Sequence, residues 1–277
     1  MSYKSICYAA IHDTAVNSGA AKAAIDIAAM LKSHLTVALG VPFVFSPVLY
    51  PAAALATLEV EVNEREKQRM DGLAQSLRSQ AALAGVTVES HVLQDSLFGL
   101  YDDMAGLTRT SDLVVTAAAG ESDGQIREFV EELVRSSGGP VMTVPDNVDV
   151  SKGFKRIMLA WDGGMEASRA MRHALPFLAD ADVVELVTVT GQSDEASKPA
   201  NLNLAAAHLA RHCRQVVETS LKGEGSVQQI LANHAGEGRV DLTVMGFYGH
   251  SRLREWALGG ATRDMLRYAT GPVLFAA

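Results

Sequence analysis

Phe154-Lys155-Arg156-Ile157-Met158-Leu159-Ala160-Trp161-Asp162 is the stretch on which the fold turns. Its apolar centre suits a short strand buried on both faces, as in a parallel sheet. Downstream, Ala167, Ala170, Met171, Ala174, Leu175 and Leu178 recur at helical spacing, and Val183–Val189 reads as the next strand. The opening residues Tyr3-Lys4-Ser5-Ile6-Cys7-Tyr8-Ala9-Ala10-Ile11 have the same pattern. They are followed by a helix carrying Ala21, Ala24, Ile25, Ala28 and Leu31, with Asn17-Ser18 as its cap, and by a strand at Leu35–Val41.

The echo continues. Asp112-Leu113-Val114-Val115 returns as Asp241-Leu242-Thr243-Val244, and Gly139-Pro140-Val141-Met142 as Gly271-Pro272-Val273-Leu274. Corresponding pairs in one order, about half a chain apart, mark a duplicated domain rather than a solenoid. Between them the N-terminal copy adds a charged amphipathic helix from Glu59 to Leu83, a strand at Val86–Leu93, helices at Leu97–Leu107 and Ile126–Arg135, and a strand at Pro140–Val144. This alternation predicts α/β architecture: two tandem domains, each a five-stranded parallel sheet flanked by helices. The expected bounds are 1–148 and 151–277, joined through the polar, turn-prone stretch Pro145–Gly153.

Composition narrows the function classes. The 277 residues are 48% apolar, enough for two cores, and carry a net charge of −8. An acidic chain is a poor general partner for nucleic acid or anionic lipid, so neither is expected, and an anionic ligand requires a local site. Cys7 and Cys213 are too few for a disulfide framework, and no signal-type run opens the sequence; both point to the cytoplasm. Leu35–Leu58 lacks any charge and is long enough to span a bilayer, but Pro42, Pro47 and Pro51 would break a spanning helix. It reads as a buried strand followed by an apolar, Pro-rich connection, with 41–58 as a candidate lid or association surface.

The chemistry concentrates in Met245-Gly246-Phe247-Tyr248-Gly249-His250-Ser251-Arg252-Leu253-Arg254-Glu255-Trp256-Ala257-Leu258-Gly259-Gly260-Ala261-Thr262, set between a strand and a helix. Ligands of open α/β sheets sit beyond the C-terminal ends of strands. There, glycines let the backbone approach an anion, and a helix start offers unpaired N–H groups. Thr262 adds a hydroxyl, and His250, Arg252, Arg254 and Arg263 add positive charge. The pattern is neither a Walker loop nor a dinucleotide fingerprint. No Gly-x-Ser-x-Gly elbow occurs, so no catalytic residue is nominated.

Gly246-x2-Gly249-x9-Gly259, an Asp ending the first strand (Asp162) and the Gly271-Pro272-Val273-Leu274 strand together resemble the universal stress protein family. The resemblance covers the C-terminal half well and the N-terminal half as a diverged copy. It implies a tandem arrangement and an adenine nucleotide, ATP, as ligand. It also implies roles: Asp162 beside adenine, and Gly246, Gly249 and Gly259 with the following helix start holding ribose and phosphates. The family's Ser/Thr after the last glycine is Gly260 here, so the amides of Gly260 and Ala261, or the Thr262 hydroxyl, must stand in. The expected function is a stress-response module that senses adenine nucleotide and signals through protein partners. The alternatives are slow ATP hydrolysis or phosphoryl transfer, with Mg²⁺ held by Asp162 and Glu255, and a nucleotide-free interaction protein.

In the N-terminal copy Ile11 replaces Asp162, Ala117 replaces Gly246 and Gly120 matches Gly249, while Arg127 and Glu128 replace Gly259 and Gly260. Glu128, Glu131 and Glu132 are expected at the start of the helix, where they disfavour phosphate. That copy is expected to be vacant. The final strands Val141–Val144 and Val273–Phe275 are expected to pair, as two chains do in homodimers of the resembled family, giving a pseudo-dimer within one chain. His208 and His212, four apart with Cys213 adjacent, are read as a solvated helix face rather than a metal site, and Cys7 as an inert core thiol.

Overall fold

The computed structural model describes residues 2–11, 19–43, 53–120, 124–190, 201–247, 265 and 269–277. The N-terminal half runs β1 (Ser5–Ile11), α1 (Gly19–Leu31), β2 (His34–Pro42), α2 (Ala53–Leu83), β3 (Val88–Asp95), α3 (Leu97–Thr108), β4 (Leu113–Ala117), α4 (Gly124–Ser136) and β5 (Val141–Val144). The C-terminal half runs β6 (Arg156–Ala160), α5 (Met165–Leu178), β7 (Val183–Thr190), α6 (Leu202–Leu209), β8 (Val216–Lys222), α7 (Val227–Glu237), β9 (Leu242–Gly246) and β10 (Val273–Ala276).

All ten strands form one sheet in the order β3-β2-β1-β4-β5-β10-β9-β6-β7-β8. Every neighbouring pair is parallel except the central one, where β10 runs antiparallel to β5 with Leu274 opposite Met142. Two five-stranded parallel sheets are thus joined through their final strands, as the edge-strand reasoning anticipates, and the result is one continuous mixed sheet. The buried strands are near-continuous apolar runs, the signature of a sheet covered on both faces. The core cluster on one face draws on α1, α2, α5 and α6 from both halves, and the other on α3, α4 and α7.

The repeat that the sequence displays has a physical cause. Asp112 Oδ2 accepts the backbone N–H groups of Lys4 and Ser5 at 2.7 and 3.0 Å, and Asp241 Oδ2 accepts those of Lys155 and Arg156 at 2.8 and 2.7 Å. Each aspartate therefore satisfies two donors at the entry of the first strand of its half. Such charge-assisted pairs are stronger than neutral hydrogen bonds. The halves also share a clasp near the linker: Tyr3 and Phe154 both set their ring edges against Phe177 of α5, at 5.8 and 5.3 Å, and the Tyr3 hydroxyl donates to the His173 carbonyl.

Three regions depart from the sequence expectation. α2 begins at Ala53 rather than Glu59, because the alanines and leucines after Pro51 favour helix; from Met70 onward it buries Met70, Ala74, Leu77 and Ala81. α4 begins at Gly124, so Glu128 lies beyond its first turn, which holds no acidic residue. The expected acidic helix start in the N-terminal copy is thereby corrected. Finally, α6, β8 and α7 fill a stretch in which the sequence marks only the helix face of His208 and His212, and α6 ends at Leu209, so His212 lies beyond it. α6 spans only eight residues, and β8 is an edge strand that leaves half its residues exposed.

Candidate functional site

In the C-terminal half, chain connections diverge at β6: β7 lies on one side of it and β9 on the other. Such a reversal of strand order opens a crevice beyond the strand ends, the usual ligand position in an open α/β sheet. β6 and β9 are in register through Leu159 opposite Val244. Asp162 and Gly246 accordingly emerge at the same edge of the sheet, on neighbouring strands.

The β6–α5 turn presents Asp162 to solvent while fixing its angle. Asp162 Oδ1 accepts the Gly164 N–H at 2.8 Å. This tight loop requires Gly163 at φ +83°, a conformation that side-chain-bearing residues rarely adopt. Trp161, only 6% exposed, packs inward in the same core cluster as Leu202 and Ala205 of α6. Gly164 leads into α5 without a side-chain cap.

Gly246 ends β9 under the first turn of α5. A Cβ there would lie 2.7 Å from Ala167 N, the Glu166 carbonyl carbon and Glu166 Cβ, so glycine alone lets helix and strand close to this distance. Beyond it, Phe247 is buried with its ring edge-on to Phe275 at 5.5 Å, and its N–H donates to the Ala276 carbonyl at 2.8 Å. The glycine segment therefore leaves the sheet from an anchored point. Asp162 and Gly246 are the predicted site residues that the structure brings together. Gly249, His250, Arg252, Gly259, Gly260, Ala261 and Thr262 lie outside the described residues, as does Glu255.

Two polar features escape sequence reasoning. Asn201, immediately before α6, joins Trp161 to Gly163 by hydrogen bonds described below. Glu185, a lone charge in the apolar run of β7, is buried; its Oε1 accepts the Thr219 hydroxyl at 2.6 Å and lies 2.9 Å from His234 Nε2, and its Oε2 lies 3.5 Å from the Arg156 guanidinium. Burial pulls the Glu185 carboxyl up, but the bonds from Thr219 and His234 and the attraction of His234 and Arg156 outweigh it and hold the group below the ordinary glutamate range. A single carboxylate inside an apolar strand is the signal that a buried polar network must exist.

The rings of His208 and His212 lie 4.8 Å apart, but among the described residues no three His, Cys, Asp or Glu side chains gather as a metal site. Burial, then His212, Arg211 and Arg172, lower the His208 pKa. Burial raises the Cys7 thiol to about 12 and the Cys213 thiol to about 11, so neither is a ready nucleophile. In the N-terminal half Ala118 donates to Val144 just as Phe247 does to Ala276, which sets Ala117 at the place of Gly246. Ile11, fully buried, stands where the C-terminal half places Asp162.

Comparison with known proteins finds a family match for the C-terminal half. The model of the universal stress protein family matches residues 153–276, which contain both the Asp162 turn and the glycine segment. Residues 153–276, the C-terminal half, are by this match a universal stress protein domain. A universal stress protein of Synechocystis sp. is 24% identical over 227 residues, covering 78% of this chain and 74% of the relative. A universal stress protein from Archaeoglobus fulgidus shares the fold over 98% of this chain and 97% of its own, with a TM-score of 0.67 and 17% identity. A crystal structure from Pseudomonas aeruginosa titled as a putative universal stress protein covers 99% and 93%, with a TM-score of 0.59 and 17% identity. These full-length matches agree with a tandem arrangement in which both halves carry the universal stress protein fold. Among the described residues no helix is long and apolar enough to cross a membrane.

Proposed function

We propose that this universal stress protein binds an adenine nucleotide, ATP, in its C-terminal half and acts as a cytoplasmic stress-response sensor. The observation that carries the reading is the pairing of an exposed, angle-fixed carboxylate at Asp162 with Gly246 across the switch point. Asp162 suits the exocyclic amine of adenine, a donor that a carboxylate accepts. The glycine segment that starts at Gly246 suits the ribose and phosphates, with Gly249, Gly259, Gly260, Ala261 and Thr262 supplying amides and a hydroxyl, and His250 and Arg252 supplying charge. Occupancy changes the surface presented by the Gly249–Gly259 loop to protein partners. Any Mg²⁺ would arrive with the triphosphate.

The N-terminal half is proposed to be vacant, because it offers Ile11 and Ala117 in place of Asp162 and Gly246. The β5–β10 seam makes the chain its own pseudo-dimer, with 41–58 left as the surface for association between chains.

Calorimetry of the full chain with ATP, with and without Mg²⁺, tests this. The expected result is one site per chain, lost in Gly259→Asp without a change in thermal unfolding. Gly260→Ser should tighten binding by about tenfold by restoring a hydroxyl-to-phosphate bond. No heat from the unaltered protein would overturn the reading in favour of an interaction protein, and steady phosphate release would favour the hydrolase.

A further inference from the structure

Asn201 stands at the N-cap of α6, a position where asparagine ordinarily accepts a backbone N–H of its own helix. Here its side chain makes no such bond. Instead Oδ1 accepts the Trp161 indole N–H at 3.2 Å and Nδ2 donates to the Gly163 carbonyl at 3.1 Å. The amide orientation is fixed by its partners, since an indole N–H only donates and a carbonyl only accepts. The side chain is thus diverted from capping α6 to bridging a core residue and the one turn residue with positive φ. Both partners flank Asp162. The N-terminal half lacks the indole donor, because Ala10 occupies the place of Trp161.

We propose that Asn201 is a positioning residue that locks the Trp161–Gly164 turn and thereby sets the angle at which Asp162 meets its ligand. The nucleotide consequence rests on the reading given above, but the lock itself does not. With the Gly163 carbonyl held from outside the turn, the Gly164 N–H stays aimed at Asp162 Oδ1. Freed, the turn samples other backbone angles, and the carboxylate loses its preset direction.

Two measurements on the full-length chain decide the matter. The first needs no ligand: amide hydrogen exchange at Gly164. Asn201→Asp keeps an acceptor for Trp161 but loses the donor to Gly163, and aspartate caps a helix as well as asparagine. Exchange at Gly164 should quicken about tenfold or more in Asn201→Asp and Asn201→Ala. Trp161→Phe, which leaves the Gly163 bond intact, should stay near the unaltered rate. Unchanged exchange in both Asn201 variants would overturn the proposal whatever nucleotide does. The second compares ATP with inorganic tripolyphosphate, which has no base to meet Asp162. Asn201→Ala should weaken ATP by about five- to tenfold and leave tripolyphosphate alone. An equal loss of both ligands would mean general damage and would overturn positioning. Failure of the unaltered protein to bind ATP would remove the nucleotide reading, while the exchange result alone would still decide the lock.

Discussion

In the N-terminal half β1 ends on Ile11, buried in the same cluster as Met104 and Phe129; in the C-terminal half the equivalent strand runs out through Trp161 to an exposed Asp162. The strands beneath are alike, down to the aspartate that receives two N–H groups at each entry. The halves differ where the sheet meets solvent. A scaffold of this kind tolerates replacement of its strand-end residues, because the sheet's stability comes from strand interiors and covering helices. One copy ends this strand in buried hydrocarbon at Ile11, and the other runs out to a polar turn that Asn201 bridges. The polar core differs too. At the place in β2 that corresponds to Glu185 stands Thr36, whose hydroxyl donates to the half-exposed Glu89 at 3.1 Å on the edge strand. The C-terminal half keeps its carboxylate inside.

The strongest way to break this comparison is Gly246→Val against Ala117→Val. The first drives a side chain into Glu166 and Ala167 at a position without space. It should cost about 2–3 kcal/mol in denaturant unfolding and eliminate nucleotide binding. The second, in a half that already accommodates a Cβ, should cost less and leave ligand binding intact. Equal costs would mean that the α5 approach to β9 is not special.

A middle-sized effect is expected at Glu185. Its folded-state pKa is depressed, so its contribution is present above the ordinary glutamate value and is lost as pH falls through the folded value. Glu185→Gln should lower stability by about 1–2 kcal/mol at neutral pH and flatten the acid limb of the stability curve below about pH 4.5. Glu89→Gln, at the exposed position, should change stability by less than about 0.5 kcal/mol. Matching acid limbs in the two variants would remove the distinction between the polar cores.

The smallest effect sharpens the likeness rather than the difference. Ser96 caps α3 by accepting the Gly99 N–H at 3.2 Å, and Ser226 caps α7 by accepting the Gln229 N–H at the same distance. Ser96→Ala and Ser226→Ala should each cost about 1 kcal/mol, within a few tenths of each other. A large inequality would show that the two halves are not energetically matched even where they are geometrically matched.

The sequence makes legible those features whose cause is local or periodic. Ile6–Ile11, Leu35–Val41 and Val183–Val189 mark buried parallel strands because both faces are apolar but for Thr36, Glu185 and Thr188. Asp112 and Asp241 mark the repeat because each performs one capping task. Asp162 and Gly246 are legible as motif residues. Asn201 is not, because it acts across a separation of 38 residues with no periodicity to mark it. Apart from the helix face at His208, the segment Leu202–Glu237 is also hidden. α6 presents only Leu202, Ala205 and Leu209 to the core, and β8 has too few buried neighbours to show a pattern. Glu128 lies two residues further into α4 than the sequence suggests, because Gly124 gives no sign of opening a helix.

The antiparallel seam has a consequence for biogenesis. Val141 of β5 finds its partner only at Phe275, well over a hundred residues further along the chain. At ordinary translation rates the first half leaves the ribosome on the order of ten seconds before its seam can close, with one flank bare of backbone partners. A nascent chain in this interval is open to strand exchange with its neighbours on the same message.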